Sequence, residues 1–105
     1  MPEPSWEYTL SAGDVANGNI RFAKSPLGIE AEFFGGTNNK EPAHSNLTVS
    51  FRPGSTTQQW LYGDKKIFTN RNPHTKDFFA AIGARSGTVI RITRTGKHFL
   101  VIEKA

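Results

Sequence analysis

TVIRITRTGKHFLVIE, Thr88 to Glu103, reads as two strands and the turn between them. Thr88 to Arg94 and His98 to Glu103 are rich in β-branched and aliphatic residues, and Thr95-Gly96-Lys97 supplies the reversal. The stretch just upstream has a different period. In TKDFFAAI, Thr75 to Ile82, the residues Phe78, Phe79 and Ile82 fall three and four apart on one face of a helix. Thr75 is placed to cap it, Asp77 suits the dipole of its first turn, and Gly83 offers a left-handed stop. Ala84 to Gly87 is then a short link into the hairpin.

Farther upstream, NLTVSFR (Asn46 to Arg52) is a strand with Leu47, Val49 and Phe51 on one face. Pro53-Gly54 is a turn, and Gln58 to Tyr62 reads as the partner strand. At the other end, SWEYTL (Ser5 to Leu10) alternates, with Trp6, Tyr8 and Leu10 together. Ser11 to Asn19, SAGDVANGN, reads as an exposed arm with turns made by Asp14, Asn17 and Asn19. Ile20 to Ala23 resumes alternation, with Arg21 opposite Ile20 and Phe22. Ser25-Pro26 opens one or two helical turns over Leu27 to Glu32. Phe33-Phe34 then anchors the chain before Gly35-Gly36 and a polar loop, Thr37 to Ser45. The expected fold is all-β with one or two short helices. Six or seven short strands in a single domain, residues 1–105, suggest a barrel or sandwich.

Composition narrows the function. The chain has no cysteine, so no disulfide framework or thiolate metal site can form. No apolar run approaches the ~20 residues of a spanning helix, and the N-terminal residues lack an apolar signal region, so a soluble intracellular protein is expected. The net charge is +4 and unevenly spread. Residues 1–59 hold 4 basic and 6 acidic side chains, whereas residues 60–105 hold 9 and 3, a footprint suited to a polyanion.

Much of that positive charge gathers in WLYGDKKIFTNRNPH, Trp60 to His74. Lys65, Lys66 and Arg71 alternate with Asn70 and Asn72, residue types that grip phosphate and read base edges. Only Ile67 and Phe68 offer a pair to hold the segment down.

The order of these elements resembles the plant B-three DNA-binding domain, and still more the pseudobarrel DNA-recognition (effector) domains of Type II restriction endonucleases. The stretches that carry the resemblance are Leu10 to Val15 (LSAGDV), Tyr62 to Pro73, and Phe78 to Val89. The resemblance implies a seven-stranded, open DNA-binding pseudobarrel that clamps double-stranded DNA from both sides of the major groove. Its arms map to Ser11–Lys24 and Tyr62–Pro73. The candidate DNA-binding residues are then Asn17, Asn19, Arg21 and Lys24 in the first arm. Lys65, Lys66, Asn70, Arg71 and Asn72 belong to the second, with His74 beside it. Arg71 and Arg21 are the preferred base readers. The domain is expected to be monomeric and non-catalytic, with no cofactor and no membrane partner, and to work beside a nuclease domain on the same natural polypeptide.

Several readings stay open at the level of residues. Asn17 and Asn19 are explained equally by turn formation. Arg91, Arg94 and Lys97 fit either a phosphate track or an ordinary hairpin surface. A single-stranded nucleic acid or RNA-binding small β-barrel would also use basic residues, with Trp60 or Tyr62 stacking on bases. A carbohydrate-binding sandwich would use Trp and Asn but has no need of the basic second half. Catalysis has less support. Asp64-Lys65-Lys66 supplies half of a nuclease metal site without a partnering upstream motif. His44, His74 and His98 are dispersed, and no Gly-x-Ser-x-Gly elbow occurs.

Overall fold

A computed structural model describes residues 4–23, 25–36, 40–63, 66–68 and 73–105. Five strands appear among them: β1 (Ser5–Thr9), β2 (Leu47–Arg52), β3 (Thr56–Gln59), β4 (Val89–Gly96) and β5 (Phe99–Lys104). They form one open sheet in the order β1-β4-β5-β2-β3. All pairs are antiparallel except β2 with β5, where Val49 lies beside Leu100 and Phe51 beside Ile102. Two α-helices, α1 (Ala12–Asn17) and α2 (Pro73–Ala81), and a 3₁₀ turn at Ala31–Phe33 complete the regular structure. No described helix is long and apolar enough to cross a membrane.

The inner face of the sheet is the alternate set that period two selects: Leu47, Val49, Phe51, Ile90, Ile92, Leu100 and Ile102, all buried. Helix α2 lies against β2 through Phe78, whose ring centroid is 5.5 Å from that of Phe51. The rest of the core comes from segments with little regular structure, including Leu10, Ile20, Phe22, Leu27, Phe33, Leu61 and Phe68.

Those segments are stitched by single backbone hydrogen bonds. Leu61 bridges to Phe34 in parallel and to Phe68 in antiparallel fashion. Its N–H donates to the Phe33 carbonyl at 3.0 Å, and its carbonyl accepts from Gly35 N–H at 2.8 Å. Tyr62 N–H donates to Ile67 O at 2.9 Å, and Phe22 N–H to Lys66 O at 2.7 Å. The chains approach closely here because of glycine: a Cβ on Gly63 would run into the Gly35 carbonyl, and one on Gly35 into the Trp60 ring. A run of rings joins this second layer to the sheet edge. Trp6 of β1 meets Phe22 at 5.8 Å, and Phe22 meets Phe68 edge-on at 5.1 Å.

Several expected elements differ. The terminal hairpin is present, with a register shift between Arg94 and Gly96; its first strand extends into the expected turn, and its second begins at Phe99 rather than His98. Ser11 to Asn19 is a capped helix and bend rather than an open arm. Ile20 to Ala23 keeps the predicted alternation of burial but forms no strand, since Phe22 N–H finds its partner across at Lys66. After Ser25-Pro26 there is only a turn, closed by Leu27 N–H donating to Ser25 Oγ at 3.1 Å. Gly28, at φ 67°, diverts the chain before a helix can propagate. The partner strand of β2 is Thr56–Gln59 rather than Gln58–Tyr62, because Leu61 leaves the sheet for the second layer. Helix α2 starts two residues early, at Pro73, a residue pre-set for the first helical position. Thr75 is therefore not a cap. It is fully buried inside the helix, and its hydroxyl has no hydrogen-bond partner among the described residues.

Candidate nucleic-acid interface

The first arm is built around a local sequence signal, Ser11-x-x-Asp14. The Ser11 hydroxyl accepts from Asp14 N–H at 3.1 Å, and the Asp14 carboxylate accepts from Ser11 N–H at 3.0 Å, a capping box that starts α1. Six residues make a marginal helix, and Gly18 ends it at φ 68° with its N–H on the Asp14 carbonyl. The cap also draws Asp14 inward. Its side chain is 2% exposed, and its Oδ2 accepts a second hydrogen bond, from the Tyr8 hydroxyl of β1, at 2.7 Å.

Arg21 completes this cluster. Its Nε lies 3.3 Å from Asp14 Oδ1 while the side chain as a whole is 64% exposed. The approach is an ion-pair contact without hydrogen-bond alignment, since Oδ1 has no hydrogen-bonded partner among the described residues. The Arg21 backbone also lies beside the Tyr8 hydroxyl, whose pKa it draws down. Arg21 thus borders the Tyr8–Asp14 cluster through both its backbone and its Nε, and its terminal nitrogens make no described contact. Asn17 spends its amide on α1, Nδ2 donating to Gly13 O at 3.0 Å, whereas Asn19 is half-buried just past the helix.

Lys66 sits at φ 56° with its ammonium 4.4 Å from the centre of the Phe34 ring. Through the Phe22–Lys66 backbone bond, the residues next to Arg21 and the second arm are held side by side. His74 is half-buried in the first turn of α2. Lys24, Lys65, Asn70, Arg71 and Asn72 lie outside the described residues.

The hairpin basic residues, left open by sequence, are engaged within the fold. Arg91 pairs with Glu7 at 3.2 Å, and Lys97 with Glu32 at 2.9 Å. Ser45 donates to the same Glu32 carboxylate at 2.6 Å, and this bond, with Lys97, holds the Glu32 pKa below its ordinary value. Arg94 is only 11% exposed. It binds Glu30 at 2.7 Å and donates to the carbonyls of Leu27, Gly28 and Lys97. Strand alternation could have found it, because Arg94 follows Ile90 and Ile92 at period two and therefore faces inward. Asp14, read at the outset only as a turn former, was legible as a capping residue in its spacing from Ser11.

The Tyr8–Asp14 cluster makes a pH prediction. Burial, then the hydrogen bond to Asp14 and its negative charge, push the Tyr8 hydroxyl up to about 12. A raised phenol pKa contributes stability that is fully present below the ordinary value of 10.0 and is lost as pH rises through about 12. In a Tyr62→Phe background, tyrosinate absorbance should report a midpoint near that upper value, and Asp14→Asn should lower it. A midpoint left unchanged by Asp14→Asn would separate Tyr8 from the carboxylate.

No family model and no curated protein matches this chain. Among solved structures, it is similar in fold to a hypothetical protein of Arabidopsis thaliana. The TM-score is 0.55 at 12% identity, over 96% of this chain and 88% of that one.

Proposed function

We propose that this domain binds double-stranded DNA sequence-specifically, as an open, seven-stranded pseudobarrel whose two arms enter the major groove. In this reading it is the recognition, or effector, domain of a restriction endonuclease, and chemistry is left to a nuclease domain. The five-stranded sheet supports the reading, as do the bridged segments at Leu61, Phe34 and Phe68 that curl back toward its β1 edge. The observation that carries it is Arg21: an arginine fork presented to solvent from a buried carboxylate, beside the point where the two arms are bonded together. Duplex rather than single-stranded nucleic acid is favoured by the aromatic residues. Tyr62 is 3% exposed and so is not presented for stacking, and the half-buried Trp60 packs edge-on against it.

The test is a titration against a duplex selected from a randomised library and against its scrambled form, at two salt concentrations. If about six phosphates are neutralised, log affinity falls with log salt at a slope of about −5. Arg21→Ala lowers affinity for the selected duplex by about 1–3 kcal/mol and changes scrambled binding much less. A flat salt response, or better binding to the single strand, would sink the proposal.

A further inference from the structure

We infer that Asp14 sets the base preference of Arg21, as a positioning residue that orients the guanidinium without touching DNA itself. This rests on the DNA-binding reading above, and it assigns a role to a residue that composition and charge would place on the wrong side of a polyanion interface.

The two carboxylate oxygens of Asp14 have separate tasks. Oδ2 takes both neutral donors, the Tyr8 hydroxyl at 2.7 Å and the Ser11 N–H at 3.0 Å. That is enough for the cap of α1 and for the tie to β1. Among the described residues, Oδ1 is buried with no hydrogen-bonded partner, and the cation facing it is Arg21, through Nε at 3.3 Å. A buried carboxylate oxygen is strongly disfavoured without a compensating charge, so the pairing with Arg21 is favoured even though Arg21 itself is mostly exposed.

What the grip leaves free is decisive. A guanidinium held at Nε still presents Nη1 and Nη2, two parallel donors whose spacing suits guanine O6 and N7. A held fork also loses less rotamer freedom on binding than a free one, and it meets only those base edges that lie along its fixed direction. Tyr8 adds a second restraint, because its hydroxyl donates to Asp14 and so fixes the carboxylate that faces Arg21. The Arg91–Glu7 pair provides an internal contrast. At 43% and 58% exposure, neither partner is anchored.

Asp14→Asn separates positioning from folding. An asparagine carbonyl in the place of Oδ2 keeps both neutral hydrogen bonds, while its amide presents a donor to Arg21 Nε in place of an acceptor. Selection from a randomised duplex library should show wild type with a defined site. Asp14→Asn should lose about tenfold preference at the base pair Arg21 reads, without weaker binding to scrambled duplex. Arg21→Ala should lose the same preference, and the double variant should match Arg21→Ala alone. Glu7→Gln should change nothing. Tyr8→Phe, which keeps the carboxylate, should give a smaller loss in the same direction and serves if Asp14→Asn unfolds. In the DNA-free protein, the Arg21 Nε–H resonance should be resolved from the other arginines and should merge with them in Asp14→Asn. An unchanged preference in Asp14→Asn, additive losses, or an Arg21 resonance indifferent to residue 14 would each overturn the inference. If wild type selects no site, the DNA-binding reading fails and this role falls with it. A merged resonance in Asp14→Asn would then still establish the pair.

Discussion

Truncating Phe78 to alanine is expected to lower the unfolding free energy by roughly 3–5 kcal/mol, enough to leave a domain of this size marginal. The ring is 1% exposed and sits between the rings of Phe51, at 5.5 Å, and Phe79, at 6.0 Å. It is the main attachment of α2 to β2, and α2 has few other means of staying folded. Nine residues are too few to be helical alone, so the helix persists only while its apolar face is docked. Phe99 is the control. It is 52% exposed on the outer side of β5, and its truncation should change stability by less than about 0.5 kcal/mol. Urea unfolding of both variants checks the contrast, and equal midpoints would mean that the face of α2 has been misassigned.

Arg94→Ala should cost roughly 2–4 kcal/mol, an unusual amount for a basic residue in a β-hairpin. Three backbone carbonyls and Glu30 converge on its guanidinium, and charged hydrogen bonds contribute more than neutral ones. Glu30 is 40% exposed, so the larger share belongs to the carbonyls of Leu27, Gly28 and Lys97, which the guanidinium fastens to the end of β4. Lysine has one point charge and no fork, and Arg94→Lys should recover less than half of the loss. In a DNA titration, Arg94→Ala should leave the salt slope unchanged at temperatures where it remains folded. A slope reduced by about one would instead mark a phosphate contact.

Arg94 and Arg21 show where reading the chain in one dimension succeeds and where it stops. Period-two alternation was enough to place Leu47, Val49, Phe51, Ile90 and Ile92 inside, because a strand has only two faces. The same local logic located the terminal hairpin, the aromatic face of α2 and its stop at Gly83, which has φ 64°. Capping, turn formation and alternation all act within a few residues, so the amino-acid order by itself determined a mostly β domain with short helices. It also determined where the positive charge accumulates. Partner choice was beyond it. Whether an arginine faces solvent, an acid or a carbonyl depends on groups brought from elsewhere in the chain. Arg94 meets carbonyls 66 and 67 residues away, and Arg91 meets Glu7 across 84. The strand expected at Ile20–Ala23 became a single bond to Lys66 for the same reason: backbone pairing is settled by which segment lies alongside. Only the tertiary structure could bury Asp14 beneath Arg21. Burial removes water from one carboxylate oxygen, and that turns an ordinary surface arginine into a held one.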